Sequence, residues 1–314
     1  MKTYLLPEGG NRYKVNLHTH SILSDGELTP EELKACYKAN GYSAVAFTDH
    51  RVCVPHTELT DDVFIALTGI ELDFSAKDAS GRWAHTTHVC GVARDPNAGA
   101  DYPDAPLPLS YESVNAEIQK LNAAGFITTV NHPVWSDMST EDVLCLHDMH
   151  SIEVFNSVGT YLDNYSDDSS YYEHFLRAGG RAMPIAADDC HTSAGRGVPG
   201  VEYFHGFNLI CAPELTYDAL MAGIDAGHMY ASTGPEFNAL WLEDGVLHVE
   251  CSPVMGVYVH GSRYSQRTYV LCADGTGTCV DIDVSRLCRE SDYIWVQLRD
   301  SQGGKAWSVP HWFN

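Results

Sequence analysis

At 314 residues with 44% hydrophobic content, the chain is long enough for one α/β domain of about 250 residues plus an appendage. Its 42 acidic residues against 19 basic ones give a formal charge of −23, and no Lys/Arg cluster offers a face to a phosphate backbone, which argues against nucleic acid or an anionic membrane as partner. No apolar run approaches the roughly 18 residues of a membrane span, no signal peptide is read at the N-terminus, and ten cysteines stand without a CxxC pair, a pattern that suits the cytoplasm.

In chain order, strand-like runs are read at 14–18, 43–50, 63–72, 87–92, 126–132, 151–156, 182–189 and 206–212. Between them lie helical stretches. The first, "TPEELKACYKANG", has Thr29 as N-cap, Pro30 at the first helical position, Glu32 closing a capping box and Gly41 as stop. "YESVNAEIQKLNAAG", "STEDVLCLHDM" and "TYDALMAGIDAG" are further helix candidates. Apolar strands alternating with helices predict a parallel sheet covered on both faces, and the number of units favours a barrel over an open sheet. After "STGPEF" the texture changes to strands at about 237–243, 246–251, 254–260, 267–273, 278–284, 292–299 and 305–310, with no helix signal. The expected division is therefore an α/β unit over 1–235 and a small all-β domain over 236–314.

Many of the sixteen histidines fall at strand ends, and acids accompany them. His18 and His20 close the first strand and Asp25 follows in the next loop. Asp49 and His50 close the second strand, and Glu71 sits near the end of the third. His88 lies in the fourth strand, with His85 as the alternative to it; His132 ends the fifth, and Asp189 and His191 end a later one. In a parallel barrel the C-terminal strand ends meet at one face, so these residues would converge. The pairs His18/His20 and Asp189/His191 are each two apart, which on a strand puts both side chains on one side. Taken alone, each motif reads more readily as a polar strand edge; together they predict a metal site. Six imidazoles and three carboxylates without a thiolate suit Zn, Mn or Fe rather than Ca or Mg.

The ordered motifs "LHTHSILSDG", "FTDH", "GIEL", "HVCG", "NHP" and "DDCH", over roughly 14–212, resemble the PHP family, named for polymerase and histidinol phosphatase. The resemblance implies a distorted (β/α)7 TIM-like barrel holding two or three divalent metals at its C-terminal face. It implies His18, His20, Asp25, His50, Glu71, His88, His132, Asp189 and His191 as ligands. It would group His18, His20, Glu71 and Asp189 on one metal, Glu71, His88 and His132 on a second, and Asp25, His50 and His191 on a third. The segment "HMYASTGPEF" and the tail ending "GKAWSVPHWF" resemble a branch that includes a carbamate-hydrolysing enzyme. Two departures stand out: Arg51 follows "TDH" where Asn or Asp is expected, and "DDCH" replaces "SDAH".

The implied activity is a phosphoesterase acting on a small phosphorylated metabolite. The ions' charge would exceed that of three ligand carboxylates, so an anion could be held inside an acidic chain, with water acidified between two metals as the attacking group. No GxSxG elbow or Walker loop signals another chemistry. Hydrolysis of a carboxylic ester, carbamate or amide at the same metals is the alternative. A non-catalytic binding protein, using tail aromatics such as Tyr258, Tyr264, Trp295 and Trp312, is the second. Arg196 and Arg51 are candidates for gripping substrate, Asp49 for supporting a ligand or taking a proton, and Trp83 and Trp135 for walling the pocket. A homo-oligomer is compatible with all of this.

Overall fold

The computed structural model describes residues 2–191 and 202–313. The fold is mixed α/β around one large sheet. After a short β1 (Lys2–Tyr4) come β2 (Asn11–Asn16), β3 (Ala44–Phe47), β4 (Ile65–Lys77), β5 (Trp83–Ala93), β6 (Phe126–Val130), β7 (Ser151–Asn156), β8 (Met183–Ala187), β9 (Phe207–Ala212) and β10 (Met229–Ser232). Their spatial order is β8-β7-β6-β5-β4-β3-β2-β9-β10. Beyond the end of the β8 ladder the chain returns to β2: Thr19 and Cys190 form an isolated parallel bridge, and His18 O accepts from Asp189 N.

The sheet is not wholly parallel. β2, β3 and β4 run parallel, as do β6, β7 and β8, but β5 is antiparallel to both β4 and β6, and β9 is antiparallel to β2. The reason is the link between β4 and β5. Only the Asp78–Arg82 turn joins them, with Gly81 at φ 83°, and a parallel crossover needs about a dozen residues or more. The tip of this hairpin, Ser75–Lys77 and Trp83–Thr86, is half-buried or exposed, so the apolar pattern does not reveal it.

The helices are α1 (Pro30–Ala39), α2 (Tyr111–Ala123), α3 (Thr140–Leu144), α4 (Ser169–Arg177), α5 (Tyr217–Asp225) and, in the tail, α6 (Ser285–Glu290). The Thr29 capping box forms as its sequence predicts, Glu32 N donating to Thr29 Oγ1 and Thr29 N to the Glu32 carboxylate. α4 and α6 are absent from the sequence reading; both are short and lack a side-chain cap, the signal that marks α1. No described helix is long and apolar enough to cross a membrane.

The longer strands of the tail are β11 (Phe237–Glu243), β12 (Val246–Val254), β13 (Gly256–Gly261), β14 (Arg267–Leu271), β15 (Gly277–Asp283), β16 (Tyr293–Arg299) and β17 (Lys305–Ser308). They divide between two sheets. β11, β12 and β15 join β1 in a four-stranded sheet, while β17, β16, β13 and β14 extend the large sheet from β10. One buried cluster contains Leu33, Tyr37 and Phe47 together with Leu240, Val257 and Ile294 of the tail. Trp295 is fully buried, stacked on His260, so it belongs to the core rather than to a binding surface.

Candidate metal centre

Two strand ends lie side by side through the Thr19–Cys190 bridge. Thr19 and Cys190 point away, so the residues flanking each of them face the other way together. His18 and His20 thereby meet Asp189 and His191. The rings of His20 and His191 stack at 4.2 Å, and the Nε2 atoms of His18 and His20 lie 3.1 and 3.0 Å from Asp189 Oδ1. A second bridge sets His50 beside Glu71, with Arg51 N donating to Glu71 O.

Glu71, fully buried, is the hub of this arrangement. Its carboxylate lies 3.2 Å from His18 Nε2, His20 Nε2, His50 Nδ1 and His88 Nδ1, and 3.6 Å from His132 Nε2. Potential ligand atoms gather in three groups, each within 4.8 Å: His18, His20, Glu71 and Asp189; His20, Asp25, His50 and His191; and His50, Glu71 and His88. All nine residues singled out in the sequence are thus brought to one place. Two of these groups contain the sets the resemblance implies, His18, His20, Glu71 and Asp189, and Asp25, His50 and His191. The third brings His50 beside Glu71 and His88, while His132, buried, lies 3.6 Å from Glu71 and 3.8 Å from Asp189 with its ring 4.9 Å from that of His88. His85 is exposed on the outer part of β5, away from Glu71.

Three of these turns are strained. Arg51, His132 and Asp189 have φ of 59°, 29° and 54°, a region non-glycine residues avoid unless the surroundings impose it. Each lies at or next to a residue that must leave its strand to face the centre.

Charge and hydrogen bonding fit divalent metal. Asp189 Oδ1 and His50 Nδ1 are buried and crowded at 3.0–3.2 Å, Asp189 Oδ1 by the His18 and His20 Nε2 atoms and His50 Nδ1 by the Glu71 carboxylate, yet neither meets a well-aligned hydrogen bond. Burial alone would raise the Glu71 and Asp189 carboxyls, but the surrounding imidazoles, His18 foremost, hold both well below the usual carboxylate range. Burial opposes charge on His20 too, yet hydrogen bonds to Asp189 and Glu71 push it up to about 10. The same burial, less compensated, brings His50 down to about 4. A set of carboxylates and imidazoles that hold one another's charge in this way is what a cation replaces when it binds and displaces protons.

Residues that sequence reasoning missed hold the centre in place. Glu153, fully buried in β7, accepts from His18 Nδ1 at 2.7 Å, His132 N at 2.8 Å and Asn156 Nδ2 at 3.0 Å. Asn131 donates to Glu71 at 2.6 Å, and Asn156 to Asp189 at 3.0 Å. The signal for Glu153 was present: a lone acid inside "SIEVFN", every residue of which is buried. Asp49 makes no contact with a ring. It accepts from Ser21 N, Ser21 Oγ and Ser24 Oγ, which fixes the loop between His20 and Asp25. Gly26 closes that loop, since a Cβ there would lie 2.5 Å from His20 O.

The centre floors a cavity of about 520 Å³ walled by Trp135, Val158 and Leu162. Its outer acids are Glu27, Asp163 and Glu202, and no Lys or Arg lines it among the described residues. Arg51 does not line the cavity; its guanidinium pairs with Asp73. Arg196 lies outside the described residues. Trp83 is 60% exposed, with Lys77 over its ring, and takes no part in the wall.

Behind the 132–138 turn, Asp168 accepts from Val134 N at 2.8 Å, and burial foremost pushes its carboxyl up to about 7. An acid raised from about 3.9 on folding stabilises the fold below that value, and the contribution is lost as pH climbs to about 7. Asp168→Asn keeps the acceptor oxygen. The variant is expected to gain stability over the parent from pH 4 to pH 8, by roughly 2–4 kcal/mol at the upper end, in urea unfolding. A difference that does not vary with pH would refute the assignment.

No family model and no curated protein matches the chain. Among solved structures it is similar to a two-domain protein from Bacteroides vulgatus containing a predicted PHP-like metal-dependent phosphoesterase, at 14% identity over 98% of each chain and a TM-score of 0.47. An amidohydrolase from Chromobacterium violaceum with bound sulfate and no metal is 19% identical over 58% of this chain and 88% of that one, TM-score 0.43. A Bifidobacterium adolescentis protein, provisionally named a metal-dependent phosphoesterase, is 14% identical over 59% and 90% of the two chains, TM-score 0.44. Solved structures similar to this chain thus include one described as containing a predicted PHP-like metal-dependent phosphoesterase, one provisionally named a metal-dependent phosphoesterase and one amidohydrolase.

Proposed function

We propose that the chain is a metal-dependent hydrolase, on a distorted (β/α)7-type barrel over 1–235 with a C-terminal β unit over 236–314, and that it cleaves small phosphate monoesters. The observation that carries this reading is the convergence of three potential ligand groups, two of them sharing Glu71, on the floor of one cavity. His18, His20, Glu71 and Asp189 would hold one ion, Glu71 and His88 with His132 or His50 a second, and Asp25 and His191 with His50 or His20 a third, each imidazole serving one ion. Divalent ions there, Zn, Mn or Fe by the donor set, would supply the positive charge that a phosphoryl group needs and acidify water for its attack.

The chain's own residues do the rest. Glu153 accepts the His18 Nδ1 proton, which turns Nε2 toward the centre. Asp49 and Gly26 keep the His20–Asp25 loop closed. Trp135, braced by its Nε1–H donation to Asp163, gives the organic part of the substrate an apolar wall beside the ligand rings. With no Lys or Arg on the described cavity wall, the anion's charge falls to the ions.

The test is hydrolysis of p-nitrophenyl phosphate and a panel of phosphate monoesters after chelation and reloading with Zn, Mn or Fe. Turnover is expected to vanish with the chelator and return with metal. Metal-loaded protein that turns over no phosphate ester would overturn the reading, and cleavage of aryl esters or carbamates instead would favour the carbonyl alternative.

A further inference from the structure

A second cavity, of about 370 Å³, lies behind the metal centre and shares one wall with it. Ser136 is that wall: it is buried, lines the second cavity, and its Oγ lies 3.1 Å from His132 Nδ1. The volume falls within the ~300–1,000 Å³ typical of small-molecule sites. Leu109, Val114, Met138 and Leu146 supply the apolar surface, and Val114 and Leu146 are buried. Tyr111, 44% exposed, adds an aromatic face at the mouth.

The charged lining is one-sided. Glu112, Asp137 and Asp142 bring three carboxylates, and among the described residues neither Lys nor Arg lines the cavity. Among those residues His85, which the metal centre leaves unused, is the one lining group that can carry positive charge. Asp142 is committed to Ser139 N at 2.7 Å and to the Tyr111 hydroxyl, and these bonds hold its carboxyl below the ordinary range, the tyrosine contributing most. An apolar floor beneath carboxylates, with an aromatic face beside them, complements a flat apolar body carrying a cationic group.

We propose that this cavity is a second small-molecule site, selective for compact aromatic or aliphatic amines, placed back to back with the metal centre. The probe is phenethylamine, titrated into zinc-loaded protein so that the acids of the metal centre are already occupied, with binding read from the methyl resonances of Val114 and Leu146. Saturable binding is expected with a Kd of about 1 mM or below, as suits so small a ligand. Phenylacetate, with a similar body and opposite charge, is expected to bind at least about tenfold more weakly.

Two variants place the probe. Leu109→Trp, at a half-buried position, fills the cavity and is expected to abolish the shifts. The double variant Glu112→Gln/Asp137→Asn changes only exposed side chains and is expected to weaken the amine about tenfold while leaving the fold, read by circular dichroism, unchanged. Absence of saturable binding, equal affinity for the acid, or amine binding that survives the charge-neutral variant undiminished would each overturn the proposal. Because zinc content and turnover are not the readouts, these outcomes do not depend on which reaction the metal centre performs.

Discussion

Glu71→Gln is expected to strip the centre of metal and of activity together. The carboxylate is the one group within reach of five imidazoles, and it takes part in two of the three potential ligand groups. The amide keeps its shape but removes the charge, and it turns a donating NH2 toward rings or toward Asn131, which already donates to this carboxylate. At least one ion per chain should be missing by elemental analysis of purified protein. Hydrolysis should fall on the order of 10²–10³-fold, the range seen when a single transition-state stabilising group is lost. The variant must also be folded, since removing the counter-charge of a buried imidazole cluster costs stability on the order of 3–5 kcal/mol. Unchanged metal content in a folded Glu71→Gln protein would remove Glu71 from the centre of the account.

What the sequence made legible here follows from strand alternation. "HTH" and "DCH" each place two side chains on one face, and their strand-end positions sufficed to predict that they meet. Grouping was not legible, because it depends on turns rather than spacing. His132 enters on a turn at φ 29°, while the bridge between His50 and Glu71 brings a ring beside Glu71 that spacing alone did not assign there. The β4–β5 hairpin was hidden for a different reason: its tip, Ser75–Lys77 and Trp83–Thr86, is half-buried or exposed, so nothing in its hydrophobic pattern distinguishes strand from loop. Arg51 illustrates a third limit. Its neighbour in sequence is a metal-centre histidine, yet a left-handed turn sends its guanidinium to Asp73, a partner 22 positions away.

Glu153 is expected to affect both metal affinity and stability, although no ion need touch it. A carboxylate is an acceptor only, and this one faces three donors: His18 Nδ1–H, His132 N–H and Asn156 Nδ2–H. It therefore fixes the tautomer of His18, leaving Nε2 directed at Glu71 and Asp189, and it anchors the strained His132 turn from the same position. In Glu153→Gln one of the two oxygens becomes an NH2 that meets a donor, so either His18 or His132 loses its partner in a site with no solvent to replace it. The expected cost is about 1–3 kcal/mol of stability, from one buried donor left unpaired. Metal affinity should fall about 10–100-fold, as when other outer partners of a ligand histidine are removed. Competition with a chromophoric chelator measures the affinity, and urea unfolding of the metal-free protein measures the stability. The two readouts separate the roles: Glu153→Gln that loses stability but binds zinc as tightly as the parent would make Glu153 a structural anchor and not a positioning residue for His18. Glu153→Asp should recover less than the full effect, because the shorter side chain cannot reach His18 and His132 together.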